Sequence, residues 1–228
     1  MIFVIVILVV FSSQCHCEVD WCALLCDHVT EHTMCSYKPH RNIRRCTNIE
    51  DIQTPNGRKD ILHLHNKYRN EIAGGLKKGW PEAANMREMS WDAVSESVAL
   101  RWAQQCKEGH DSCRRTTEFP YVGQNYAVEG NTAGYPSHTG GFNGWIDEIR
   151  MIGSPKSMIK RFRGGKWGHF TQVVWADSFK LGCSETHTEL HDDYVYKTTV
   201  LICNYGPGGN IWNSKMYEVG KPCNFQTY

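Results

Sequence analysis

An α+β fold, with helices layered against a sheet, is what this chain predicts, and three observations predict it. Apolar residues recur at helical spacing after residue 58 and again after Ser90, and a β-branched, aromatic run extends from Tyr194 to Cys203. The first stripe is Ile61, Leu64, His65, Tyr68 and Ile72, with Asp60 as the expected cap and Gly74-Gly75 as the stop. The second places Trp91, Val94, Val98, Trp102 and Cys106 on one face of a helix starting at Ser90. A third, short helix is expected from Gly144 to Ile152, with Trp145, Ile149 and Ile152 turned inward. All these helices bury aromatics and need a surface to bury them against. That surface is predicted to be a hairpin, with Lys180 to Thr188 as one arm, Tyr194 to Cys203 as the other, and His191-Asp192-Asp193 between them.

Residues 18–57 read differently. They are polar, without period and dense in cysteine, and they end in Thr54-Pro55-Asn56-Gly57. A stapled extension is expected there rather than a core, held by crosslinks that contribute about 2 to 4 kcal/mol each. Ahead of it, Ile2 to Phe11 is an unbroken apolar run followed by small residues at Cys15 and Cys17. The run is too short for a bilayer, which takes about 20 residues, and residues 1–17 read as a secretory signal peptide. No later segment is apolar enough for a membrane anchor, so a secreted, extracellular protein is expected.

The chain has 11 cysteines, of which nine lie beyond residue 17. In an exported chain these read as disulfides before metal ligands, and no C-x-x-C knuckle supports a zinc module. Nine is odd, which points to Cys223 as the unpaired thiol; a monomer is expected, with a dimer through Cys223 as the alternative. A net charge of +1 argues against nucleic acid as a partner. Lys160-Arg161-Phe162-Arg163-Gly164-Gly165-Lys166 is a local basic stretch, read first as a solvated loop.

Three residues stand out chemically. Glu148 falls on the buried stripe of the third helix, where a carboxylate must be paired, hydrated or used. His169 precedes a short amphipathic run, and His110 follows the second helix beside Cys113. Taken singly, each is also consistent with a structural role. His187 and His191 are four apart, which would bring them together only on a helix; an exposed turn is expected instead. No G-x-S-x-G nucleophile elbow is present.

Gly168-His169-Phe170-Thr171-Gln172-Val173-Val174-Trp175 and the run from Val200 to Ile211, which contains Cys203-Asn204-Tyr205-Gly206-Pro207-Gly208, resemble the two signature motifs of the CAP family. That family comprises cysteine-rich secretory, antigen 5 and pathogenesis-related 1 proteins. His65-Asn66-Lys67-Tyr68-Arg69 and Val122-Gly123-Gln124-Asn125-Tyr126-Ala127 match as well, so the resemblance covers residues 58–214, leaving 215–228 as a tail. Trp21-Cys22-Ala23-Leu24-Leu25-Cys26 in the extension is similar to the antigen 5 branch of arthropod venoms and saliva, a group that includes allergens.

The resemblance implies a three-layer α-β-α sandwich whose cleft is lined, in many members, by two histidines and two acids. Matched by motif, these positions are His110, His169 and Glu148, with Gln124 where the second acid stands, because Gly-Glu-Asn is here Gly123-Gln124-Asn125. The implied metal ligands are His110 and His169, for zinc or another divalent ion, with no cofactor required. An amide cannot act as a base, so no catalytic residue is assigned. The resemblance also implies the pairs Cys22–Cys35, Cys26–Cys113, Cys46–Cys106 and Cys183–Cys203, which counting cannot choose among about 105 pairings of eight. The expected function is a secreted, non-enzymatic antigen 5-like protein that binds a host protein, a small lipid or hydrophobic ligand, or a divalent metal. A metal-dependent hydrolase, protease or esterase, using His110, Glu148 and His169 is the alternative. The glycine-rich loop from Gly130 to Phe142 is read first as a plain surface loop, with a mobile flap for lipid carriage as the alternative.

Overall fold

A computed structural model describes residues 19–39, 45–137 and 139–222. Along the chain it has a helical turn α1 (Thr33–Ser36), strand β1 (Cys46–Asp51), helix α2 (Pro55–Ala73), strand β2 (Ser90–Trp91), helix α3 (Ala93–Ala103) and strand β3 (Gly123–Asn131). Helix α4 (Thr139–Asp147) runs into a 3-10 turn at Glu148–Met151, and α5 (Pro155–Lys160), α6 (Gly168–Val173), β4 (Lys180–His191) and β5 (Val195–Gly206) follow. The expected leader, residues 1–17, and Cys223 lie outside the described residues.

The predicted hairpin is the centre of the fold. β4 and β5 pair antiparallel from Lys180↔Gly206 to His191↔Val195, with Cys183 directly opposite Cys203. β3 adds antiparallel to β5, giving the order β1-β4-β5-β3. Side chains alternate across a strand, so the two faces of β5 meet different helices. Leu201, Cys203 and Tyr205 join a large core with Ile61, Ile72, Phe142, Trp145, Phe170 and Val173 from α2, α4 and α6. Val200 and Ile202, on the other face, pack against Ala99, Trp102 and Ala103 of α3. The result is a three-layer α-β-α sandwich. Helix α4 sits close to the sheet because Gly141 has no side chain: a Cβ there would stand 2.8 Å from Ala127 Cβ.

Five expectations need correction. The stapled extension is part of the sheet, since β1 pairs with β4 from Cys46↔Leu190 to Asp51↔Thr186. Helix α2 starts earlier than Asp60: Thr54 Oγ1 accepts from Gly57 N at 3.0 Å and Pro55 takes the first helical position, so the expected boundary at 57 lies inside the helix. Ser90–Trp91 is strand, pairing parallel with β4, and Asp92 caps α3 by accepting from Val94 N and Ser95 N. The buried face of α3 is therefore Ser95, Val98, Ala99, Trp102 and Ala103, while Val94 is exposed. The third helix spans Thr139–Asp147 rather than Gly144 to Ile152, and the tighter turn after it takes Glu148 off the apolar stripe. Gly130 and Asn131 end β3 and Thr139–Phe142 begin α4, so both ends of the expected loop lie in regular structure.

Four disulfides close: Cys22–Cys35, Cys26–Cys113, Cys46–Cys106 and Cys183–Cys203. The middle two bracket the loop that follows α3 and tie it to the amino-terminal segment. His187 and His191 sit on β4 rather than in a turn; His187 stacks on Tyr135 at 3.9 Å between ring centres, and His191 Nε2 bonds Thr47 Oγ1 at 2.7 Å.

Candidate functional site

His110, Gln124, Glu148 and His169 line one hollow of about 270 Å³, together with Asn125, Lys166 and Asn210. Each comes from a different part of the chain, and each is held by a specific set of bonds.

His110 follows α3 in a loop pinned on both sides. Cys106 and Cys113 carry the two long-range disulfides, and Trp102 Nε1 donates to Gly109 O at 2.8 Å. Asp111, next in sequence, is buried and accepts from Thr33 Oγ1, from Arg114 and from Gln124 Nε2. Gln124, on β3, donates from the same nitrogen to Asn204 Oδ1 at 3.0 Å. A carboxylate can only accept, so the orientation of the Gln124 amide is fixed and its Oε1 faces His110 Nδ1 at 2.9 Å. Nδ1 of His110 is therefore the donor in this bond, and in the neutral ring Nε2 carries the lone pair.

His169, on α6, is set the same way by a different partner. Glu148 Oε1 lies 2.6 Å from His169 Nδ1, and Glu148 Oε2 accepts from Phe170 N at 2.9 Å. The Trp145 ring lies nearly parallel to the imidazole, 20° off at 5.9 Å. Both carboxylate oxygens of Glu148 are thus engaged, and Nε2 of His169 is left bare. Glu148 reaches this position because the chain tightens into the 3-10 turn after α4.

Beneath the hollow runs a buried polar chain that the sequence reading missed. Asn125 Nδ2 donates to His169 O at 3.0 Å and to Tyr205 Oη at 3.1 Å. Tyr205 Oη lies 2.9 Å from His65 Nε2, and His65 Nδ1 lies 2.7 Å from Ile61 O. A carbonyl only accepts, so His65 donates from Nδ1 and receives the tyrosine proton at Nε2. Burial pushes the His65 pKa down to about 3, and the ring is neutral. The signal was present: a histidine on an apolar helix stripe has to find partners. Lys166 and Asn210 were not singled out either, although Lys166 ends the basic stretch and Asn210 lies inside the second signature run. Asn210 accepts from Thr171 Oγ1 at 2.7 Å and donates to Gly168 O at 2.7 Å, so it braces the first turn of α6.

Arg69 of α2 holds the far end of α6. Its buried guanidinium donates to the carbonyls of Val173, Trp175, Ala176, Ser178 and Arg87. Burial pushes its pKa down to about 9, still well above neutrality, so it remains a cation set against carbonyl dipoles.

As a metal site, the hollow presents two bare imidazole nitrogens on rings oriented by their other nitrogens, the arrangement metal-binding histidines use. No group of three or more His, Cys, Asp or Glu placed to hold a metal occurs among the described residues. The donor set fits a divalent ion that keeps much of its water and does not fit a closed structural zinc site.

A layered sandwich with a polar hollow lined by two oriented histidines, and disulfides locking the loop of one of them, defines a class of protein. The family model described as CAP, the cysteine-rich secretory protein family, matches residues 62–205, and the chain belongs to that family. Among curated proteins, it is 35% identical over 229 residues to venom allergen 5 of Rhynchium brunneum, covering 96% of each chain. It is 35% identical over 214 residues to venom allergen 5 of Vespula pensylvanica, covering 87% of this chain and 98% of that one. Among solved structures, NaASP2 with Zn2+ matches at a TM-score of 0.61 and 27% identity, over 75% of this chain and 89% of that one. Hookworm platelet inhibitor matches at a TM-score of 0.56 and 26% identity, over 76% and 81%. No helix among the described residues is long and apolar enough to cross a membrane.

Proposed function

We propose that this chain is a secreted protein of the venom allergen 5 type that acts by binding rather than by turnover. The observation that carries the reading is the state of the two positions a hydrolase would use as acid and base. Gln124 is an amide whose nitrogen and oxygen are committed to Asp111, Asn204 and His110. Glu148 has both oxygens committed to His169 and Phe170 N. An amide cannot act as a base, and Glu148 is already engaged as the group that orients His169. Export is supported by the apolar leader, by four disulfides and by the similarity to venom allergens across nearly the whole chain.

The partner we favour is a host protein, met by the loops of a crosslinked scaffold; the match to a structure named hookworm platelet inhibitor supports that class. A small hydrophobic ligand is the second candidate. Nε2 of His110 and of His169 would hold a divalent ion, and the match to a structure determined with Zn2+ supports this. Such an ion would supply a Lewis-acid centre. Lys166, an exposed cation lining the same hollow, opposes tight binding of any such ion.

The rival reading is a metal-dependent hydrolase, favoured by His110, Glu148 and His169 sharing one hollow. Purified protein with and without zinc, assayed on peptide and ester panels, is expected to show no turnover that a chelator removes. Chelator-sensitive turnover that His169→Ala abolishes would overturn the binding reading. Native mass spectrometry of the secreted protein is expected to show a start at residue 18 and at most weak retention of metal.

A further inference from the structure

From Arg150 through Gly168 the chain carries six Lys or Arg, Arg150 included, and no Asp or Glu, within a protein of net charge +1. This is the most one-sided charge distribution in the sequence, and the binding reading above leaves it unused.

The structure gives the segment a shape. Phe162 is buried and anchors it, while Arg161 and Arg163 are exposed on either side. Arg161 is extended, with φ −157°, so residues two apart leave the backbone on one side. Both arginines line a second hollow of about 210 Å³, with Ser154, Ser157 and Trp167 on its walls and Ile152 and Met158 as its apolar part. It is separated from the histidine hollow by Gly164 and Gly165, whose φ values of 71° and 141° form the tight turn between them.

The polar groups of this second hollow are mostly donors without acceptors. Among the described residues, neither Arg161 nor Arg163 pairs with a carboxylate. Arg163 lies over the exposed Trp212 ring at 5.9 Å, which leaves its N–H groups free. Ser154 makes no capping bond. Trp167 Nε1 is buried with no partner, although an indole N–H can only donate and costs free energy when it does not. Two unpaired guanidinium forks and two hydroxyls around one small space call for a ligand rich in acceptor oxygens and negative charge.

We infer that the hollow bounded by Arg161, Arg163, Ser154, Ser157 and Trp167 is a binding site for a sulfate or phosphate monoester group. The tetrahedral oxygens face the arginines and the serine hydroxyls, and the organic part rests on Ile152 and Met158. The site is independent of metal at His110 and His169. Its position beside the histidine hollow gives the protein two recognition elements on one face.

The test is calorimetric titration of the full secreted chain, at constant ionic strength, with inorganic sulfate, inorganic phosphate, a sulfated disaccharide, and phosphatidylcholine vesicles doped with phosphatidic acid. Saturable binding is expected for at least one of these, and the tightest arm identifies whether the group is carried free, on a glycan or on a lipid. Arg161→Gln/Arg163→Gln is expected to weaken that binding about tenfold or more, from the loss of two charge-assisted donors. Lys156→Gln/Lys160→Gln removes the same charge from exposed positions outside the hollow and is expected to leave affinity within about twofold at that ionic strength. Equal losses in the two double variants would make the effect a general attraction of charge and overturn the site, as would saturable binding in none of the four arms. His169→Ala is expected to bind as the parent does; loss of binding there would overturn the independence of the two hollows.

Discussion

Restoring the family's acid by Gln124→Glu is expected to destabilise this protein, in a way that depends on pH. In the structure Gln124 Nε2 is 3.0 Å from Asp111 Oδ1, and the Asp111 side chain is fully buried. Two unit charges at that separation repel by about 5 kcal/mol at an effective dielectric of about 20. Arg114, bound to Asp111, offsets part of this. The introduced carboxyl can escape the repulsion by keeping its proton, at a cost of about 1.4 kcal/mol for each pH unit above the ordinary glutamate pKa of about 4.3. That cost caps the loss near about 5 kcal/mol at pH 8 and about 1 kcal/mol at pH 5. Asn204 Oδ1 also loses its donor, which adds about 1 kcal/mol at any pH. The variant is therefore expected to be about 3 to 5 kcal/mol less stable than the parent at pH 8, and about 1 to 2 kcal/mol less stable at pH 5. Urea denaturation of both proteins, side by side at each pH, measures the difference. A variant within about 0.5 kcal/mol of the parent at pH 8, or a difference that does not change with pH, would refute the argument that Asp111 dictates an amide at this position.

Two further predictions concern the supports of the hollow. His65 has a folded pKa of about 3 against an unfolded value of 6.5, so the unfolded chain takes up a proton that the native state refuses. Its contribution to stability is full above pH 6.5 and is lost as pH falls toward 3, at about 1.4 kcal/mol per pH unit; His65→Gln should flatten the stability profile between pH 4 and 6 by that slope, and parallel profiles would contradict the assignment. Arg69→Met fills a similar space but leaves the carbonyls of Arg87, Val173 and Ser178 without their donor, and leaves Trp175 O and Ala176 O with only their backbone donors, Ser178 N and Arg87 N. A loss of about 4 kcal/mol or more is expected in the same denaturation assay, and a loss below about 1 kcal/mol would show that water or neighbouring groups replace the guanidinium.

Agreement between sequence and structure divides along a physical line. The stripe of α2 was legible because Ile61, His65 and Ile72 repeat at the period of the helix itself, and the β4–β5 hairpin because β-branched strands and a turn are adjacent in the chain. The start of α2 was misread because Thr54 and Pro55 carry the same residue types as a loop, and only the bond from Gly57 N shows that they cap a helix. β1 was invisible: a polar, edge-forming segment has no periodic signature, and its partner β4 lies more than a hundred residues away.

The site follows the same rule. Motifs named His110, Gln124, Glu148 and His169, and residue type alone showed that an amide stands where an acid is expected. Which way that amide points, which imidazole nitrogen is bare and whether Glu148 has an oxygen to spare were decided by Asp111, Asn204 and the turn after α4. By itself the sequence determined the helical and strand periods, the cysteine supply and the chemical types lining the hollow, because each is a property of neighbours along the chain. Tertiary structure alone decided the partners, because hydrogen-bond direction and burial depend on groups the fold brings from far away.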